Sequence, residues 1–157
     1  MATLKEATTD KDFEIAVDLF REYASHIGID LSFQNFEDEI LEIKNHYSRP
    51  NGQLIIVYDN RKNPTGCFGV RTLEDSVCEL KRMYLKKEAR GKGVGKMMMT
   101  KALEIGRTLN FELMRLDTLP TMEKAIKLYK DMGFYEIEAY RFNPFKDAKY
   151  FEIRLKE

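Results

Sequence analysis

The chain has 157 residues, long enough to bury a real core, and one domain spanning 1–157 is expected. Lys plus Arg balances Asp plus Glu at 26 each, with 43% hydrophobic and 33% charged residues, as in ordinary globular proteins. That neutrality excludes a global field that would gather nucleic acid or a membrane surface, so neither is expected as a partner.

The opening Met1-Ala2-Thr3-Leu4-Lys5-Glu6 carries no signal-peptide apolar region. The longest apolar run, 54–58, is far too short to cross a bilayer, and a cytoplasmic protein is expected. Cys67 and Cys78 make no disulfide framework; each sits in an apolar strand pattern and reads as a buried thiol.

Residues 4–7 fit a first strand, and Thr8, Thr9 and Asp10 offer helix caps. Phe13, Val17, Phe20, Ala24 and Ile27 then form one face of an amphipathic helix that Gly28 ends. Phe33, Phe36, Ile40, Ile43 and Tyr47 make a second helical stripe, with Glu37, Asp38, Glu39 and Glu42 on its exposed side. Pro50-Asn51-Gly52 breaks the chain before a strand at 53–58; a turn at 59–64 leads into another at 65–73. Glu74-Asp75 closes a hairpin into a strand at 77–85, where alternation would put Glu79, Lys81, Met83 and Leu85 on one face.

Next comes Arg90-Gly91-Lys92-Gly93-Val94-Gly95-Lys96, a glycine-rich basic turn that opens a helix. Such a turn is a ready anion site, because backbone N–H groups and the helix dipole face outward and glycine lets a phosphate approach. The Walker pattern fails, since position 90 is Arg90 and position 97 is Met97, and the dinucleotide fingerprint fails at Lys96. The bland alternative is a softened turn with a solvated basic face.

The helix that follows buries Val94, Met98, Ala102, Ile105 and Leu109, with Met97-Met98-Met99 as core filler, and Asn110 stops it. A strand at 112–118 and Pro120-Thr121 lead into a helix carrying Met122, Ala125, Ile126 and Tyr129, closed by a Gly133 cap. Strands at 135–139 and 150–155 flank a loop at 140–149. His26 and His46 have no ligand spacing, so no metal is expected.

Arg90 to Gly95 match the R/Q-x-x-G-x-G/A motif, and Ala125-x-x-Leu128-Tyr129-x-x-x-Gly133-Phe134 follows in order. Cys78-Glu79-Leu80-Lys81-Arg82-Met83-Tyr84-Leu85 looks like the fourth strand of the same family, so the chain resembles the GNAT superfamily of N-acetyltransferases. The order of elements agrees across essentially the whole chain. The resemblance implies an α/β (α+β) fold with a central mixed, mostly antiparallel seven-stranded sheet flanked by about four helices.

It also implies acetyl transfer from acetyl-CoA, without a metal, to the primary amine of a small molecule by direct attack on the thioester. Main-chain N–H groups of Arg90, Gly91, Lys92, Gly93, Val94, Gly95 and Lys96 would hold the pyrophosphate. Met83, Tyr84 and Leu85 would bond the pantetheine arm where the fourth and fifth strands splay, although no Gly or Pro marks a splay here. Tyr129 occupies the place of the general acid: a phenol of pKa about 10 can protonate a thiolate whose parent pKa is about 8.5 or higher. Otherwise Tyr129 is a core tyrosine.

Glu79 is the candidate base, directly or through water; the competing reading is an ion pair with Lys81 or another cation. Asp117 is a weaker candidate. Many family members carry Asn seven residues before the tyrosine, where this chain has Met122, so that bond is missing or Thr121 replaces it.

Acceptor choice would fall to Phe33 and its neighbours and to the loop with Arg141 and Asn143. Arg141 beside aromatics can clamp a carboxylate, which points to an amino-acid-like amine; a homodimer surface is equally compatible with that loop. The alternative class is a non-catalytic acyl-CoA-binding sensor or partner protein, against which Tyr129 argues.

Overall fold

The computed structural model describes residues 2–27, 36–141, 143 and 145–156, with only the backbone at Ile27. The expectations placed on Gly28, Phe33, Phe142 and Pro144 lie outside the described residues. Seven strands form one sheet: β1 (Thr3–Glu6), β2 (Gly52–Tyr58), β3 (Pro64–Glu74), β4 (Val77–Leu85), β5 (Leu113–Thr118), β6 (Tyr135–Ile137) and β7 (Lys149–Arg154). Their order across the sheet is β1-β2-β3-β4-β5-β7-β6. Among the described strands only β4 and β5 pair in parallel, which requires a crossover. Helix α4 (Val94–Thr108) supplies it.

The sheet has a core on each face. Period-two alternation divides the apolar run of β2, sending Leu54 and Ile56 to one side and Ile55 and Val57 to the other. Helix α1 (Asp10–Ile27) packs Phe13, Ala16 and Phe20 onto the first side. Its start is a reciprocal cap: Thr9 Oγ1 accepts from Asp12 N–H at 3.1 Å, and the Asp12 carboxylate accepts from the Thr8 and Thr9 N–H groups. Helices α4 and α5 (Glu123–Asp131) cover the second side with Met98, Met99, Ala102 and Tyr129.

The second apolar stripe divides at Glu42 into α2 (Phe36–Leu41) and α3 (Ile43–His46), which brings the described helices to five rather than about four. Glu39, expected on the exposed side of that stripe, is 4% exposed and belongs to the buried set.

Two irregularities in β4 shape the functional region. The first is a bulge: Cys67 pairs with Tyr84 and Gly69 with Lys81, so Arg82 and Met83 together face the single residue Phe68. Arg82 sits there at φ 58°, in the left-handed region. The extra residue resets the alternation, so the single face expected for Glu79, Lys81, Met83 and Leu85 does not form. Met83 and Leu85 pack on the α4 side, whereas Lys81 and Arg82 both reach Glu39 on the α2 side.

The second is a splay. β4 bridges β5 only through Val77–Leu113, Cys78–Met114 and Glu79–Arg115. Beyond that point β4 stays with β3 as far as Leu85, and β5 stays with β7 as far as Thr118. The strands part, and a cleft opens between them.

Candidate active site between the parting strands

Gly91 and Gly93 lie at φ 80° and 77°, left-handed values that favour glycine. A Cβ at either would meet nothing within 4 Å, so the space above the loop is open. Gly93 is the N-cap of α4 and offers no side-chain bond; the first intrahelical bond runs from Met97 N–H to Gly93 C=O at 3.1 Å. The N–H groups of Val94, Gly95 and Lys96 therefore have no acceptor within the helix. Arg90 ties the loop to β4, its Nε donating to Leu85 C=O at 2.8 Å.

The cleft has a volume of about 650 Å³. Met83, Tyr84 and Leu85 form its β4 wall, Leu116, Asp117 and Thr118 its β5 wall, and Arg90 and Gly95 its loop end. Tyr23 and His26 close it from α1, and Leu128 and Tyr129 from α5.

Tyr129 is held from three directions. Gly133 at φ 106° ends α5, with Phe134 N–H donating to Tyr129 C=O and Gly133 N–H to Lys130 C=O, each at 3.0 Å. Its ring packs on Phe134 and Phe151, with centroids 5.9 and 6.2 Å away. Burial, with smaller help from Tyr23 and Asp117, raises its pKa well above the ordinary phenol value and keeps it protonated.

Glu79 is fully buried, yet it does not line the cleft. Its Oε2 accepts from Tyr140 Oη at 2.7 Å and forms an ion pair with the Arg141 guanidinium, whose face lies over the Tyr140 ring. Tyr150 Oη bonds Arg141 C=O at 3.1 Å, fixing the loop that carries the arginine. Glu79 Oε1 and Arg141 Nε are buried without hydrogen-bond partners among the described residues. Asp117 does line the cleft, and its Oδ2 is likewise buried and unpartnered.

A second charged group lies beside this one. Arg82 donates to both Glu39 oxygens at 3.1 and 2.9 Å, Tyr47 Oη donates at 3.1 Å, and Arg71 and Lys81 stand 3.7 and 3.8 Å away. Burial pushes the Glu39 carboxyl up, but Arg82, Lys81 and Arg71 outweigh it and hold the pKa at about 2. Burial and the Arg82 charge bring Lys81 down to about 8, against partial opposition from Glu79 and Glu39.

The family model described as "Acetyltransferase (GNAT) family" matches residues 13–134. The chain belongs to the GNAT acetyltransferase family. An uncharacterized N-acetyltransferase of Schizosaccharomyces pombe is 32% identical over 147 residues, covering 93% of this chain and 88% of that protein. The human N-acetylaspartate synthetase is 31% identical over 102 residues, covering 64% of this chain and 34% of its own length. Among solved structures, a GNAT-family acetyltransferase from Staphylococcus aureus Mu50 superposes with a TM-score of 0.81 at 21% identity, covering 99% of this chain and 100% of that one.

In this GNAT chain the cleft gathers Met83, Tyr84, Leu85, Arg90, Gly95, Tyr129 and Asn143, with Gly91, Lys92, Gly93, Val94 and Lys96 on the loop at its end. Glu79 and Arg141 stand behind it and are joined to each other. Met122 caps α5 without a side-chain bond to its backbone and instead accepts from Thr118 Oγ1 at 3.4 Å; Thr121 lines the cleft. Sequence reasoning missed Tyr23, Lys81, Arg82 and Glu39. A signal for Glu39 was present: three residues after Phe36 and four before Ile43, it falls on the apolar stripe.

Proposed function

We propose that this chain moves an acetyl group from acetyl-CoA to the primary amine of a small, amino-acid-like molecule. The carrying observation is that the open glycine loop, the unbridged half of β4 and Tyr129 all border one cleft. The residues fit the donor: N–H groups of Val94, Gly95 and Lys96 suit the pyrophosphate, and the main chain of Met83, Tyr84 and Leu85 suits the pantetheine arm. Bound acetyl-CoA would supply the thioester carbonyl that the amine attacks.

Tyr129, protonated at any working pH, gives its proton to the leaving sulfur. The ammonium must lose a proton before it attacks. Glu79 is engaged by Arg141 and Tyr140, which favours the ion-pair reading of that residue. Asp117, on the cleft wall with an unpartnered oxygen, is the better-placed acceptor of that proton. The human relative, named for acetylated aspartate, supports a carboxylate-bearing acceptor.

The two cysteines are buried thiols, with burial raising Cys78 to about 12, and they support a reducing, cytoplasmic setting. Strands from both ends of the sequence, β1 and β7, share one sheet, which supports residues 1–157 as one domain. The test is thiol release from acetyl-CoA over a panel of amino acids, polyamines, aminoglycosides and peptides. Release with at least one primary amine is the expected result; none with any would contradict the proposal.

A further inference from the structure

Glu79 and Arg115 are the last bridged pair of β4 and β5. Two residues further along each strand, on the same face and before the bulge, come Lys81 and Asp117. They are the first like-facing pair across the opening, and both line the cleft.

Each has a hydrogen-bonding need that the described residues leave unmet. Lys81 is 7% exposed, and its nearest carboxylate is Glu39 at 3.8 Å, beyond hydrogen-bond reach. Glu39 is already shared with Arg82, Arg71 and Tyr47. Glu79 is taken by Arg141 and Tyr140. Among the described residues on this face, Lys81 and Arg71 share Glu39 with Arg82, Arg141 holds Glu79, and Asp117 acts on Arg141 from β5. The Nε atoms of Arg71 and Arg141 are buried without acceptors among the described residues. A buried ammonium with no carboxylate at hydrogen-bond distance is costly unless an anion joins it. Across the gap the opposite need appears: the buried Asp117 Oδ2 lacks a donor.

We infer that Lys81 and Asp117 hold the two ends of a zwitterionic acceptor, Lys81 taking its carboxylate and Asp117 its ammonium. The acceptor class is therefore an amino acid with a free carboxylate rather than a polyamine. This rests on the acetyl-transfer reading above and assigns the carboxylate to Lys81, with Arg71 behind it, rather than to Arg141. One lysine on β4 and one aspartate on β5 also fix the direction of binding, with the amine on the β5 side.

The test compares three acceptors in the thiol-release assay: a panel of α-amino acids, their carboxamides and spermidine. A charge-assisted hydrogen bond to the carboxylate predicts a kcat/KM ratio of acid to amide of about 10 or more, carried by KM. Lys81→Met should bring that ratio toward one, with CoA affinity by calorimetry confirming the fold. Equal rates for acids and amides, spermidine as the best acceptor, or a variant that keeps the ratio overturns the inference while leaving acetyl transfer intact. Absence of thiol release with every amine overturns acetyl transfer itself. The acid–amide comparison on the unmutated chain needs no variant.

Discussion

Lys81 and Asp117 hold corresponding positions on β4 and β5 at the first unbridged step on their face and line one cleft, a lysine short of an acceptor and an aspartate short of a donor. The lysine titrates near its working range, because burial and Arg82 lower it to about 8 while Glu79 and Glu39 hold it up. It is charged below that pH and neutral above it. For a carboxylated acceptor, kcat/KM relative to its carboxamide should fall as pH rises through about 8. Expressing each rate per unprotonated amine, from that acceptor's own amine pKa, removes the rise from deprotonation, which comes at a lower pH for the amide than for the free acid. A ratio flat from pH 6 to 9.5 would exclude Lys81 as the partner of the carboxylate.

Tyr129→Phe keeps the ring contacts with Phe134 and Phe151 and removes only the hydroxyl. Loss of a general acid predicts a fall in kcat of about 10²- to 10⁴-fold. CoA affinity by calorimetry should stay within about twofold, because the loop and β4 hold the donor. Equal losses in affinity and turnover would make Tyr129 a packing residue.

At Gly93 the left-handed backbone and the empty space above it separate two effects. Gly93→Ala should cost about 1–2 kcal/mol of stability from the left-handed conformation alone, read by thermal unfolding. The methyl group projects where a phosphate would approach, so the Michaelis constant for acetyl-CoA should rise about tenfold or more with a smaller change in kcat. An unchanged donor constant would remove the loop from the donor site.

Glu39 is one carboxylate among three cations, and removing its charge leaves Arg71, Lys81 and Arg82 to repel one another. Glu39→Gln should destabilise the fold by about 3–5 kcal/mol at neutral pH in chemical denaturation. Its folded value of about 2 lies below the unfolded 4.5, so its contribution is complete above pH 4.5 and is lost as pH falls through about 2. The gap between the two proteins should therefore close over that window. A pH-independent gap would mean that packing, not charge, holds Glu39.

Much of this was legible in the sequence, for a physical reason. The glycine loop, the Gly133 cap and the strand periods are local, and local chemistry sets them: Gly91, Gly93 and Gly133 adopt the left-handed values that their positions require. The splay and the bulge are not local. No Gly or Pro marks them, because Arg82 itself takes the left-handed conformation, held by its bidentate bond to Glu39 in α2, 43 residues away. The same distant bond hid the burial of Glu39 and misplaced Met83 and Leu85. Arg141 read as unoccupied for a ligand because its partner, Glu79, lies 62 residues earlier.

The most direct measurement pairs calorimetric CoA binding with thiol release from acetyl-CoA over the amino-acid panel. Binding together with release that depends on an amino acid, and that Tyr129→Phe lowers by about 10²- to 10⁴-fold while binding persists, is the predicted result. Tight CoA binding with no release for any amine would contradict it, and the chain would then be an acyl-CoA-binding protein without turnover.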